Sequence, residues 1–581
     1  MSQARDSAQS REARWVLAKL DPAHVETVRE ALGTDALVAR LLVNRGVTTA
    51  EEARRFCRAE LSDLSDAGSV KDMPAAVERV ISAVSRREKI CIYGDYDVDG
   101  VTSVALLLGF LRRLGADVTY YIPSRDKEGY GLNREAVASI ADSGTTLLVT
   151  VDCGISAADE VAYAAERGMD VIVVDHHQVP ARLPEAVALL NPQRADCAFP
   201  FKDLAAVGVA FFFLVALRKR LRELGTFDAH TQPNLREHMD LVVLGTVADV
   251  VPLLGDNRIL VKHGLKELTR TRRPGLVQLK EVAGVRSDQG VSARTVGFML
   301  APRLNAAGRL EDARFGVELL VTNDPDTARD LAEKLNWQNA RRQKIEEDIF
   351  NDVNAAIGRD PGIAGRHSIV MASESWHPGV IGIVASRLAR RFWRPVVLIA
   401  LKGGKGRGSA RSVEGFHMFQ GLSQCAEFIT EFGGHRSAAG LTLRAADVDR
   451  FAGKFEEVVA QTLAPDSCVP RLDLDVEIDA GTVDAGFLSA IERLEPHGSC
   501  NPAPLFLASR LRVVKSKVVG QGHLKLSLAA GGRTFDAICF GLESKGRLAT
   551  DYVDIAFSPE YNDWNNTRSI QFRVQDLRRS G

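Results

Sequence analysis

The sequence predicts a multidomain α/β protein: a doubly wound parallel-sheet domain, a smaller α/β accessory domain, and a C-terminal β-barrel. Three observations carry this. Between residues 76 and 323, short apolar β-type runs alternate with helical patterns, as parallel strands joined by right-handed crossovers require. A second domain follows over 366–463, and from about 466 alternating strands with glycine-rich turns dominate. A chain of 581 residues also exceeds what one core organises. The expected divisions are an N-terminal helical segment (1–75), the sheet domain (76–323), a connecting long helix (324–359), the accessory domain (360–463) and the barrel (464–581).

Hydrophobic content of 45% and charged content of 26% are those of an ordinary globular protein. With a net charge of −1 the molecule is no polycation, so any nucleic-acid affinity has to come from a local basic surface. Eight cysteines (57, 91, 153, 197, 425, 468, 500, 539) stand singly without CxxC pairs, which argues against a structural zinc site or a disulfide scaffold. Cys91 and Cys153 fall in expected strands as small apolar residues. The polar N-terminus lacks the apolar centre of a signal peptide, and the most apolar helical run, Ala205 to Leu217, is shorter than a membrane span. A cytoplasmic protein with no membrane association is expected.

Helical patterns at Pro22–Leu32, Ala36–Arg45 and Ala50–Arg58 open the chain, and Phe56, Leu61 and Leu64 are expected to pack them on the next domain. In the sheet domain, strands are expected at 89–93, 118–122, 146–151, 170–175 and 186–190, with helices at 101–114, 133–142, 156–167 and 205–223. The first strand runs into Asp95, Asp97 and Asp99, then Gly100. A polar turn whose first acid caps the next helix needs one Asp. Three at alternate positions repel one another unless a cation neutralises them, which favours hard oxygen ligands for Mg²⁺ or Mn²⁺. Asp152 ends the third strand and Asp175-His176-His177 the fourth, so three strand ends converge on the crevice where α/β sheets bind ligands. Asp249 closes an apolar helical run that begins near His238, where an unpaired carboxylate is costly. Asp97, Asp99, Asp152, His176 and Asp249 together supply ligands for two divalent ions, which suits phosphoester hydrolysis.

The motifs Asp-Tyr-Asp-Val-Asp-Gly (95–100), Val151-Asp152, Val-Asp-His-His (174–177) and Ala-Asp-Val-Val (248–251) resemble the successive motifs of the DHH phosphoesterase superfamily. The later motifs and the length narrow the likeness to RecJ-type single-strand-specific 5′→3′ exonucleases. That resemblance implies Asp97 and Asp99 as the first metal-binding pair, Asp152 as the bridging ligand, His176 as the imidazole ligand and Asp249 as the last acid. Asp95 matches the family's additional acid, His177 the residue beside the scissile phosphate, and Asp175 an acid that orients an imidazole.

The loop 122–131 offers Arg125 to grip phosphate and Tyr130 to stack on a base; a solvated surface loop is the alternative. Arg303-Leu304-Asn305-Ala306-Ala307-Gly308-Arg309 resembles a further family motif that makes Arg303, Asn305 and Arg309 substrate ligands, though an ordinary ion pair for one arginine competes. One long helix is expected from Asp324 to about Arg359. In the accessory domain, the His377–Leu388 and Gly433–Gly440 motifs resemble those of the DHHA1 domain, which implicates His377, Arg387, Gly433, Gly434 and His435. No acid occurs between Ser375 and Val413, where eight Lys and Arg side chains fall, so the segment reads as a phosphate groove. Arg390, Arg391 and Arg394 read instead as a solvent face. By resemblance, Ser409 and Arg411 hold the 5′-terminal phosphate.

The strands beyond 466, with one helix at 484–493, suit an OB-type barrel, a common single-strand binder. Phe535, Phe540, Tyr561, Trp564 and Phe572 are candidate base-stacking groups, more of them core than not. The turn 495–504 departs from the family's run at His497 and Cys500, and with the chain stopping just after the barrel no further C-terminal domain is expected.

The resemblance implies two Mn²⁺ or Mg²⁺ ions, single-stranded DNA threaded between the two central domains, and release of 5′-mononucleotides in DNA recombination and repair. A monomer served by a helicase and a single-strand-binding protein is the expected setting. Hydrolysis of short oligonucleotides or cyclic dinucleotides, and a non-catalytic single-strand-binding replication scaffold, are the rivals.

Overall fold

The sheet domain is built on apolar runs buried from end to end. Ile90–Gly94 and Leu147–Val151 have no exposed residue, as strands covered on both faces by helices require. The computed structural model describes residues 12–580 except 126–127, 229, 287–289, 464–468, 521 and 565–566; Cys468 and the side chain of Trp564 lie outside the described residues. The chain divides into two compact units. One comprises Met1–Trp15, Ala306–Asp312 and Lys334–Leu472, the other Val16–Asn305, Ala313–Glu333 and Asp473–Gly581.

In the second unit, five parallel strands lie in the order Val118–Tyr121, Ile90–Gly94, Leu147–Val151, Asp170–Val174, Ala188–Leu190. The chain order reverses where Ile90–Gly94 and Leu147–Val151 lie side by side, which opens a crevice at their carboxyl ends. The helix expected from residue 101 begins earlier, at Val98, because the Asp97 carboxylate accepts the amides of Asp99 (2.9 Å) and Gly100 (3.2 Å) as an N-cap. A Cβ on Gly100 would come within 2.5 Å of the Asp95 carbonyl oxygen, so only glycine lets this helix start so close to the strand end. Cys153 lies just past its strand rather than within it, still buried.

The N-terminal helices Pro22–Leu32, Ala36–Asn44 and Ala50–Arg58 are capped by Asp21, Asp35 and Thr49. They do not pack on the sheet domain alone. Val28, Val38, Leu41, Leu42 and Phe56 share one apolar core with Leu488, Phe506, Leu511 and Phe557 of the barrel. Buried Arg258 ties the three parts, donating to the carbonyls of Phe56, Leu494 and Glu495 with its guanidinium 3.8 Å from the Phe56 ring centre. Amphipathic helices reveal that one face is buried, but not against what, which is why this partner was not legible.

The barrel runs Phe506–Val519, His523–Ala530, Arg533–Cys539, Thr567–Arg579, Tyr552–Trp564 and closes on Phe506–Val519, the OB arrangement. Phe535 and Phe572 stack in its core at 4.6 Å, whereas Phe540 is exposed. The expected strand 472–478 is split into Arg471–Leu474 and Val476–Glu477, and only the latter joins this sheet.

In the first unit, a five-stranded sheet runs Glu431–Gly434, Ala438–Arg444, Lys405–Arg411, Val396–Lys402, Ile369–Ser373, antiparallel but for the last pair. The helix Pro325–Arg359 is continuous, its first turns to Glu333 in the second unit and the rest in the first. No described helix is long and apolar enough to cross a membrane.

Candidate functional site

Chain folding gathers side chains more than 150 residues apart at the reversal of the parallel sheet. Asp95, Asp97 and Asp99 leave the first strand, Asp152 the third, and Asp175-His176-His177 the fourth; Asp249 ends the helix Met239–Ala248, which packs on Val98–Arg113. Asp99, His176 and Asp249 form one group with ligand atoms within 4.8 Å of each other; Asp95, Asp97 and Asp152 form a second, and Asp152, His176 and His177 a third. His176 Nε2 stands 3.2 Å from Asp152 Oδ1, 3.6 Å from Asp249 Oδ2 and 3.9 Å from Asp99 Oδ2. Asp152 sits at φ 61° and Val250, beside Asp249, at φ 62°, left-handed conformations that a non-glycine residue holds only when its surroundings impose them.

Several of these acids are poorly compensated. Burial pushes Asp95 and Asp152 well above the usual carboxylate range, with neighbouring carboxylates adding to it. Burial raises Asp249 to about 9 and Asp99 to about 7, reinforced by the other acids. Asp99 is partly relieved at the N-terminus of the helix Ala206–Glu223, where the amides of Ala206 (2.6 Å) and Val207 (2.9 Å) donate to it. Asp95 Oδ1, His176 Nε2 and Asp249 Oδ2 are buried without any hydrogen-bond partner. Burial lowers His176 to about 4, and a backbone hydrogen bond at Leu204 engages its ring, so the imidazole is neutral with the lone pair of Nε2 turned to the acids. Lone pairs facing lone pairs in a buried site are what a bound cation resolves, so the residues fit one or more divalent ions.

The histidine pair divides into two roles. Asp175 Oδ1 accepts the amides of His176 (2.7 Å) and His177 (3.1 Å) and lies 2.7 Å from His177 Nδ1, while Oδ2 accepts the Ile155 amide. Burial opposes charge on both, but the hydrogen bond and charge of the pair prevail: His177 rises to about 9 and Asp175 falls to about 2. His177 is therefore cationic at neutral pH beside a neutral His176. The Tyr130 hydroxyl lies 3.2 Å from His177 Nε2, and the Arg125 guanidinium lies 5.2 Å from the Tyr96 ring centre. Asn305 Oδ1 accepts the Val98 amide at 3.2 Å, bracing the acidic loop, while Arg303 donates to the Met299 carbonyl in the turn before its helix.

In the first unit, Arg411 donates to Ser386 Oγ (2.9 Å), Ser409 Oγ (3.1 Å) and the Ala410 carbonyl (2.8 Å). A Cβ on Gly382 would lie 2.8 Å from Ser409 Oγ and 3.1 Å from the Arg411 guanidinium, so glycine is required for the arginine to settle there. Strand register sets Ser409 opposite Gly440 and Gly440 opposite Gly433, a row with little side chain and an open backbone. Arg309 donates to the Gly379 carbonyl, and His377 Nδ1 accepts the Gly379 amide. Arg387 lies 3.7 Å from the Phe350 ring centre and 3.7 Å from Glu346. Gly434, at φ 149°, and exposed His435 turn the hairpin into Ala438–Arg444. Arg390 and Arg391 are exposed, as expected of a solvent face, whereas Arg394, expected with them, is half-buried.

Sequence reasoning missed the groups that hold the chemistry in place. Asn191, fully buried at the end of the fifth strand, donates to the His177 carbonyl at 2.9 Å, and Gln193 donates to that of His176. A buried-strand pattern ending in Asn was the available signal. The Ala206 and Val207 amides carried none, because a backbone donor has no sequence signature.

Comparison with known proteins agrees with this geometry. Residues 89–246 match the DHH family N-terminal domain, 366–461 the DHHA1 domain and 474–576 the RecJ OB domain. The chain is 38% identical over 570 residues to the single-stranded-DNA-specific exonuclease RecJ of Bacillus subtilis, covering 97% of this chain and 70% of that one. It is 37% identical over 572 residues to RecJ of Salmonella typhimurium, covering 95% and 97%. The crystal structure of Thermus thermophilus RecJ in complex with Mn²⁺ superposes with a TM-score of 0.82 at 31% identity, covering 98% of this chain and 80% of that one; the Mg²⁺ complex gives 0.76 at 29%.

Proposed function

This chain belongs to the RecJ family of DHH-domain proteins, and we propose that it is a metal-dependent exonuclease specific for single-stranded DNA, working 5′→3′ and releasing 5′-mononucleotides. The observation that carries the reading is the buried cluster in which His176 Nε2 and Asp249 Oδ2 face each other and further acids with no donor between them.

Asp97, Asp99, Asp152, His176 and Asp249, with Asp95 as an additional acid, hold two Mn²⁺ or Mg²⁺ ions. When bound, these lower the pKa of a water and stabilise charge on phosphorus. The Asp99 carboxylate is aimed by the Ala206 and Val207 amides, and His176 is kept neutral as a ligand by burial. His177, kept protonated by Asp175, donates toward the scissile phosphate as the bond to the 3′-oxygen of the leaving nucleotide breaks. Tyr130 and Arg125 border this position. Ser409 and Arg411 grip the 5′-terminal phosphate, with the open glycine row at 433 and 440 passing the backbone; Arg303, Arg309, His377, Arg387, Gly434 and His435 complete the substrate contacts. The five divisions 1–75, 76–323, 324–359, 360–463 and 464–581 are the proposed functional partition. A cytoplasmic monomer supplied with strand by a helicase and a single-strand-binding protein is the proposed setting.

The test uses 5′- and 3′-labelled single strands, duplex and dinucleotides, each with Mn²⁺, Mg²⁺ or chelator. Mononucleotide release from the 5′ end of long single strands is expected. Digestion from the 3′ end would refute the polarity, dinucleotide preference would favour the short-oligonucleotide rival, and metal-independent binding without cleavage would favour the scaffold.

A further inference from the structure

Phe298 is the most exposed large apolar side chain among the described residues, at 80% of its surface. A single exposed phenylalanine is unremarkable by itself. This one stands on a five-residue π-turn, Val296–Leu300, whose ends Val296 and Leu300 are fully buried, so the turn is anchored while the ring is held out. Such turns concentrate at functional sites.

The turn is tied to the acid cluster in two ways within the same compact unit. Its Gly297 backs onto Val247, two residues before Asp249, where a Cβ would meet the valine at 3.8 Å. The helix Ala301–Leu310 continues directly from it and carries Asn305, whose Oδ1 accepts the Val98 amide beside the Asp97 cap. Seven residues separate Phe298 from Asn305, about 10 Å along a helix. Val250 is exposed at 68% next to Asp249, so apolar surface flanks the acids on a second element.

We infer that Phe298 is a nucleobase-stacking residue, which holds an unpaired base of the strand within a few nucleotides of the scissile linkage. The inference rests on the single-strand nuclease reading. The physical need is specific. The metal centre and His177 act on the phosphate, whereas the π-face of a base can be held without charge, and every base offers one.

The full chain, its Phe298→Ala, Phe298→Leu and Phe298→Trp variants, and strands with one abasic residue at each of the first positions from the 5′ end test this in Mn²⁺. Phe298→Ala is expected to raise KM about 10-fold with kcat little changed, and Phe298→Trp but not Phe298→Leu to retain tight binding. An abasic residue at one position should impose a similar penalty on the unaltered chain and almost none on Phe298→Ala. The Phe298→Ala penalty should persist as salt is raised, since stacking releases no counterions. Unchanged KM in Phe298→Ala, Leu matching Trp, or an abasic penalty undiminished in Phe298→Ala would overturn the inference. A Mn²⁺ titration on each variant shows whether the centre survives; if Phe298→Ala loses it, the Leu and Trp pair decides. If the unaltered chain binds the strands without cleaving them, the nuclease reading fails, and stacking is still read from Kd on the same strands.

Discussion

At the end of the parallel sheet, five acids gather around a neutral imidazole with cationic His177 beside them, and three of the ligand atoms are buried without a hydrogen-bond partner. In the first unit the charged groups are already seated: Arg411 on two serine hydroxyls and a carbonyl, Arg309 on a carbonyl, Arg387 over a phenyl ring and near Glu346. The first arrangement keeps its buried acids protonated to higher pH unless a cation compensates them. The second is held by partners as it stands, Arg411 by hydroxyls and a carbonyl and Arg387 by a phenyl ring and Glu346. The difference separates a region that buries like charges together from one that seats each charge on partners.

Substitution should affect these regions differently in size and kind. Asp152→Ala removes the carboxylate nearest His176 and is expected to lower kcat at least about 1,000-fold, a loss of about 4 kcal/mol in the transition state, with strand binding largely kept. Steady-state kinetics and a binding assay on the same strand check it; comparable losses in both would erase the contrast. Asp175→Asn should cost about 10- to 100-fold, because the carboxylate accepts the His176 amide and pairs with the His177 ring, the proposed orienting role. It should also move the alkaline limb of the pH–rate profile down, since Asp175 holds His177 at about 9.

Stability of the metal-free chain should respond to pH in a sense set by the same acids. Unfolded aspartates ionise near about 3.9, whereas folded Asp99 stays protonated to about 7 and Asp249 to about 9. Their contribution to stability is therefore present at low pH and lost as pH rises from about 4 to 9. His177, raised to about 9 from its ordinary value near about 6.5, loses its contribution across the upper part of that window. Saturating Mn²⁺ to about 100 times its Kd should restore about 2.7 kcal/mol, and the gap between chelated and Mn²⁺-loaded melting curves should widen with pH. A gap that narrows toward pH 9 would count against the cluster as a metal site. The smallest effect is expected on the accessory sheet. Arg411→Ala should raise KM for a 5′-phosphorylated strand about 10-fold, less at high salt, with Mn²⁺ affinity unchanged. Equal loss on 5′-hydroxyl strands would remove its assignment to the terminal phosphate.

The strands of the sheet domain and barrel, and the long helix Pro325–Arg359, were legible because each depends on local pattern: an apolar run, an alternation, a 3.6-residue period. Asp97 shows where local reading stops. In sequence the capping alternative falls on the first acid, Asp95, whereas in the structure Asp97 caps the helix through Oδ1 and also lies in an acid group with Asp95 and Asp152. The N-terminal helices show the same limit, since their sequence marks a buried face but not the barrel that covers it.

The sequence by itself determined which side chains could ligate, at which strand ends they stand, and that the chain is a DHH-type α/β protein with a barrel. Only the tertiary structure decided which histidine is neutral and which cationic, which backbone amides relieve Asp99, and that Phe298 is held out from a buried turn. The physical reason is that composition and spacing fix what each residue can do, while protonation and exposure depend on neighbours brought close from far along the chain.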